Sequence, residues 1–145
     1  MKILQLIKEI ISPTQQYQDA VEKIKQQGGK FLGSGDYGAA FLVGNKVVKV
    51  TTDSEELEDA QKIKGVTTKY FVHIYDVQVI NEKLGIITME RLYPYTADPN
   101  DVSLEKIQQE ADDLDIYPDI EGSQGMVRLS NIMQDRKGNI KVIDV

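Results

Sequence analysis

The run Gly33-Ser34-Gly35-Asp36-Tyr37-Gly38 is the first place where residue type and spacing point to chemistry. Glycines let a backbone approach an anion closely and aim its N–H groups at it, which suits phosphate. Strand-forming residues flank the run on both sides, KFL before and AAFLV after. That makes it the tip of a hairpin, not the strand-to-helix loop that dinucleotide-binding folds require. A plain flexible turn is the alternative for this run taken alone. Eleven residues after Gly38, Lys49 lies inside the apolar strand KVVKV. A lysine there is costly unless its ammonium is paired. Lys46, three residues earlier, points to the opposite face and is the solvent-facing one. Lys49 can therefore reach under the glycine run to phosphate.

Three further features bear on the same chemistry. The helix SEELEDAQKIKG turns Leu57, Ala60 and Ile63 inward, and an acid beside that stripe can pair with Lys49. Asp59 suits this role by position, with Glu58 and Glu56 as alternatives. The strand ITMERLYP ends at Met89 and passes into Glu90-Arg91-Leu92 and a proline-containing linker, which can offer main-chain groups to a purine edge. In NIMQDRKGNIKVIDV, Asn131 opens a hairpin and Asp144 closes it. Side chains at those two ends can converge on one cation, and their oxygens suit Mg²⁺ that also touches phosphate. The single histidine, His73, sits in the apolar run FVHIYDV and reads as a packing or edge residue.

The elements that must position these residues follow from periodicity and punctuation. Residues 2–11 and 14–27 read as two amphipathic helices separated by Ser12-Pro13. Residues 30–50 are short strands, with Gly44-Asn45 as a hairpin turn. A helix over 54–64, opened by Asp53 or Ser54, is closed by Gly65. FVHIYDVQVI and LGIITME are two more strands, 93–102 a linker, SLEKIQQEADDLD a helix capped by Ser103, and 115–130 irregular. NIMQD and NIKVIDV form a last hairpin. This order predicts an α+β fold with an antiparallel sheet.

The order GSGDYG, VVKV, acidic helix, ITMERL, Asn131 and IDV resembles the protein-kinase-like superfamily, including small-molecule kinases of the aminoglycoside phosphotransferase type. The resemblance covers roughly residues 30–92 and 126–145. It implies an N-lobe of five antiparallel strands plus one helix, preceded by two N-terminal helices and followed by a severely reduced C-lobe. The expected organisation is one domain over 1–145: helices to 29, N-lobe over 30–92, reduced C-lobe with the metal-site hairpin beyond. The resemblance implies a phosphate loop of Gly33, Ser34, Gly35 and Gly38, a phosphate-binding Lys49, and Asp59 or Glu58 as its helix partner. Met89 would lie behind the adenine, Glu90 to Leu92 would form the hinge, and Asn131 and Asp144 would bind Mg²⁺.

The pattern breaks at the base. The superfamily keeps an aspartate five residues before the asparagine, where this chain has Met126. Methionine cannot accept a proton. Arg128 falls where a basic residue can still neutralise transferred charge, and Asp119 or Glu121 are weak substitutes for the base. The expectation is an ATP- and Mg²⁺-binding, pseudokinase-like binding or regulatory module; a minimal active phosphotransferase is the alternative, and enzyme status is left open.

Composition narrows the partners. The 145 residues carry 17 basic and 23 acidic side chains, a formal net charge of -6. That balance argues against bulk binding of nucleic acid or anionic membrane. There is no cysteine, so disulfide and thiolate chemistry are excluded. The N-terminal MKILQLIKEIIS is interrupted by Lys8 and Glu9 and reads as a helix, not a signal peptide. A cytoplasmic location, in a bacterial or phage-infected cell, is the expectation, with a nucleotide and another protein as partners and homo-oligomerisation possible.

Overall fold

The computed structural model describes residues 13–118, 120 and 129–143. The expected helix over 2–11 lies outside them. Helix α1, Pro13–Gln26, turns Ala20 and Ile24 into the core and stops before Gly28, whose φ of 90° favours a residue without Cβ. Strands β1 (Lys30–Ser34), β2 (Gly38–Val43) and β3 (Lys46–Thr51) follow as a meander. Helix α2 spans Ser54–Ile63 and is capped by Asp53, whose carboxylate accepts the N–H groups of Glu55 and Glu56 at 3.0 and 3.3 Å. Strands β4 (Ile74–Asn81) and β5 (Leu84–Glu90) complete a five-stranded antiparallel sheet in the order β1-β2-β3-β5-β4.

The expected strand over 71–80 begins later, at Ile74. Phe71 instead bridges Val142 in parallel, and Val72 N–H donates to Val142 O at 3.0 Å. Those residues belong to the seam between sheets. The linker contributes a short β6 (Tyr93–Pro94) and a 3-10 turn at Pro99–Asp101. Helix α3, Leu104–Leu114, is capped by Ser103 and ends at Asp115, which takes a left-handed conformation. Strands β7 (Ile132–Gln134) and β8 (Ile140–Val142) join β6 in a second, three-stranded sheet in the order β6-β7-β8.

The first sheet is covered on both faces. Alternation along β2 and β3 sends Phe41 and Val50 to the α1 side and Val47 and Lys49 to the α2 side. The α2 side carries the larger core. There Leu57, Ala60 and Ile63 of α2 meet Phe71, Ile74, Ile87 and Met89, and the cluster continues into Ile107, Ala111, Ile132 and Val142. One apolar cluster therefore joins both sheets, α2 and α3. Two glycines permit the close approaches. A Cβ on Gly38 would collide with Val50 O across the β2–β3 pair, and one on Gly85 with the Leu57 side chain of α2.

Candidate functional site

The β1–β2 turn, β3, the start of α2 and the second sheet enclose a cleft of about 390 Å³. Lys49 enters it from mid-β3, opposite Ala40 of β2 and Ile87 of β5. Its Nζ lies 2.6 Å from Glu56 Oε2. Lys49 is 28% exposed and Glu56 only 6%, so the ammonium sits at the mouth and the carboxylate at the floor. Glu56 Oε1, equally buried, has no hydrogen-bond partner among the described residues.

The partner of Lys49 is thus Glu56, not Asp59 or Glu58. The link from β3 to α2 is only Thr52-Asp53, tied down by Asp53 N–H donating to Thr51 Oγ1 at 3.1 Å. That places the first turn of α2 beside Lys49. Glu56 lies four residues before Ala60 and seven before Ile63, so it lies on the buried stripe itself. Its place in the first turn is also favourable to a carboxylate. Asp59 is buried as well, 5% exposed, but serves another contact: Oδ2 accepts the Tyr117 N–H at 2.9 Å. Burial pushes its pKa above the usual aspartate value, while the Tyr117 bond and Lys62 pull it back in part. Glu58 is exposed.

The glycine run forms the tip of the β1–β2 hairpin, and Gly35, Asp36, Tyr37 and Gly38 line the cleft. Gly33 and Ser34 belong to β1 and are not among its lining residues. Gly35 N–H donates to Gly38 O at 2.9 Å, closing the turn. Tyr37 O accepts both the N–H and the hydroxyl of Thr52, at 2.7 and 3.0 Å, which anchors the tip to the base of α2. Gly38 is needed for the close packing of β2 on β3.

Ala40, Val47, Met89 and Ile143 make the apolar part of the lining. Val47 and Met89 are paired across β3 and β5. Met89 is thus part of the cleft lining. The expected hinge, Glu90 to Leu92, follows directly on the cleft-lining Met89. Glu90 N–H donates to His73 O at 2.9 Å, and the Glu90 carboxylate accepts the His73 N–H at 2.8 Å. Glu90 and Arg91 line a separate groove, and Leu92 is buried in the core. His73 packs edge-on against Tyr75, as a packing residue should.

Asn131 lies across the cleft from Lys49, in the turn before β7. Its carbonyl accepts the Ile143 N–H at 3.0 Å, so the residue preceding Asp144 is held against Asn131. Asp144, Met126, Arg128, Asp119 and Glu121 lie outside the described residues. Periodicity alone could have found Val47, two residues before Lys49 on one strand face. Ala40 and Ile143 needed the strand register.

The fold has a counterpart among solved structures. The Cydia pomonella granulovirus kinase PK-1 aligns over 88% of this chain and 57% of its own, at 14% identity and a TM-score of 0.51. The fold is protein-kinase-like. A thermostable mutant of an aminoglycoside phosphotransferase, solved in ternary complex with AMP-PNP and hygromycin B, is also similar. It aligns over 53% of this chain and 30% of its own, at 20% identity and a TM-score of 0.37. The chain thus spans little more than half of one kinase-like neighbour and less than a third of the other. No family model and no curated protein matches the sequence. The kinase-like architecture is an α+β fold with the five-stranded sheet and single inter-strand helix that the sequence implied.

Proposed function

We propose that this kinase-like chain binds ATP in the cleft between the glycine hairpin and the second sheet, acting as a pseudokinase-like binding or regulatory module. The observation that carries the reading is the 2.6 Å pair between Lys49 and Glu56 inside that cleft. A fixed, half-exposed ammonium at the mouth of a phosphate-sized pocket is an anion site, and Glu56 sets its direction. Ala40, Val47, Met89 and Ile143 supply an apolar slot for a flat purine, and Gly35 to Gly38 cover the side where phosphates would emerge.

The donor set also fits Mg²⁺. Asn131 lines the cleft and carries a side-chain amide oxygen, and its backbone carbonyl accepts the N–H of Ile143, the residue before Asp144 in the sequence. Asn131 and Asp144 would hold the ion, which when bound would neutralise phosphate charge. The unpartnered Glu56 Oε1 is a further acceptor at the cleft floor. Lys49 holds and orients the phosphates, while Val47 and Met89 exclude water around the base.

The regulatory reading rests on Met126 in place of the proton-accepting aspartate. Phosphoryl transfer depends mainly on positioning and charge, so slow transfer without a base is the competing reading, favoured by the intact Lys49–Glu56 pair. Calorimetric titration with ATP, with and without Mg²⁺, tests binding. Saturable binding weakened about tenfold or more in Lys49→Ala is expected; equal affinity for the variant would remove the proposal. Labelled ATP then separates the two readings, since transfer to the chain itself or to an acceptor would make it an enzyme.

A further inference from the structure

Beyond the end of β5 lies a second concavity of about 370 Å³, bounded by the β2–β3 turn, β6 and the β7–β8 turn. Met89 lines the nucleotide cleft and its neighbour Glu90 lines this groove, as alternation along a strand dictates. Four cations gather here in a chain whose net charge is -6. Arg91, Arg136 and Lys137 line the groove, and Lys46 Nζ lies 4.4 Å from the centroid of the Tyr75 ring in its wall. None of the four has a carboxylate within 4.0 Å among the described residues.

The two acids of the groove are committed elsewhere. The Glu90 carboxylate accepts the His73 N–H. Asp135 accepts from the N–H groups of Lys137 and Asn139, both at 2.9 Å, and from Asn139 Nδ2 at 3.0 Å. Asp135 thus builds the β7–β8 turn instead of neutralising its cations.

One side chain organises two of the cations. The Arg91 guanidinium stacks 5.2 Å from the centre of the Tyr93 ring. The Arg136 guanidinium lies beside Tyr93 and places Nη2 3.5 Å from Asn45 Oδ1. Its proximity lowers the Tyr93 pKa below its ordinary value. Two forked donors are therefore oriented before any ligand arrives, which reduces the ordering cost of binding.

We propose that this groove is a binding site for a phosphate monoester, separate from the nucleotide cleft. A dianionic phosphate matches paired guanidinium forks better than a single carboxylate does, and it neutralises two charges that have no ion-pair partner among the described residues. Tyr75 and Tyr93 provide flat walls for the group that carries the ester. Because Arg136 belongs to the second sheet and Lys46 to the first, a bound phosphate would bridge the two sheets behind the linker.

Phenyl phosphate and a short phosphoserine peptide, titrated into isotopically labelled protein and followed by NMR, test the site. The unphosphorylated peptide and benzoate serve as controls. Saturable shifts at the backbone amides of Arg91, Tyr93, Arg136 and Lys137 are expected with the phosphates only. Affinity should fall about tenfold or more in the Arg91→Ala/Arg136→Ala double variant, and several-fold in Tyr93→Phe, which keeps the ring but removes the hydroxyl beside Arg136. Tighter binding of the peptide would identify a phosphorylated residue as the ligand, and equal binding a free ester. The Arg91→Gln/Arg136→Gln pair repeats the test should the alanine variant lose its fold. Absence of saturable shifts, or undiminished binding by the arginine variants, would overturn the proposal.

Discussion

Lys49 and Glu56 tie the stability of the fold to the proposed nucleotide site. Removing the ammonium leaves a carboxylate that is 6% exposed without its cation. Lys49→Ala should therefore cost about 2 kcal/mol in a urea denaturation, besides weakening nucleotide binding. Glu56→Gln keeps a hydrogen-bonding oxygen and should cost less. Asp59 behaves in the opposite way. Its folded-state pKa is raised above the ordinary 3.8, so the folded protein holds this proton more tightly than the unfolded chain does. The favourable contribution is complete below 3.8 and is lost as pH rises through the raised value. At neutral pH the ionised Asp59 is thus a net cost. Asp59→Asn, which can still accept the Tyr117 N–H, should be more stable than the wild type at pH 7. That advantage should shrink in melts taken toward pH 4, and an advantage that is constant with pH would contradict this account.

Elements show which glycines serve the backbone and which serve the cleft. Gly38 lies where β2 passes close to β3, and any Cβ would meet Val50 O. Gly38→Ala should cost more than about 2 kcal/mol, because backbone must move to relieve the clash. Around Gly35 nothing lies within reach of an added Cβ, and its φ is not positive. Gly35→Ala should change stability by less than about 1 kcal/mol. Any larger effect it has should appear in nucleotide affinity, measured by calorimetry on the same samples. A Gly35→Ala variant as unstable as Gly38→Ala would refute this division of labour. Helix α2 tells a similar story. Its inward stripe was legible as Leu57, Ala60 and Ile63, and all three are buried. Which acid joined that stripe depended on how tightly Thr51 and Asp53 turn the chain from β3 into the helix.

The whole molecule is joined by its larger apolar cluster. Ile107 of α3 is fully buried in the same cluster as Phe71, Ile74 and Met89 of the first sheet region and Ile132 and Val142 of the second. Ile107→Ala should lower stability by about 2–5 kcal/mol, with both sheets lost in one transition. Circular dichroism and NMR signals from the two sheets should melt together, and separate midpoints would show two independent units. Among the described residues no helix is long and apolar enough to cross a membrane.

Local rules were enough for much of this protein. The hairpin turn at Gly44-Asn45, the caps at Asp53 and Ser103, and the glycine tip between two strands each depend on a few neighbouring residues. Strand alternation separated Lys49 from Lys46, and motif order led to the kinase-like fold. Contacts between distant segments were decided only in three dimensions. Phe71 and Val72 joined the seam with Val142 instead of extending β4, because pairing across 70 residues leaves no periodic trace. Asp59 went to Tyr117 and Glu56 to Lys49, since both acids flank one stripe and only the packing of neighbouring elements tells them apart. Glu90 turned to His73, and Arg91 and Arg136 met around Tyr93, because β6 brings the second sheet against the linker. Side-chain type set which groups could do chemistry here; the register of the two sheets chose which of them meet.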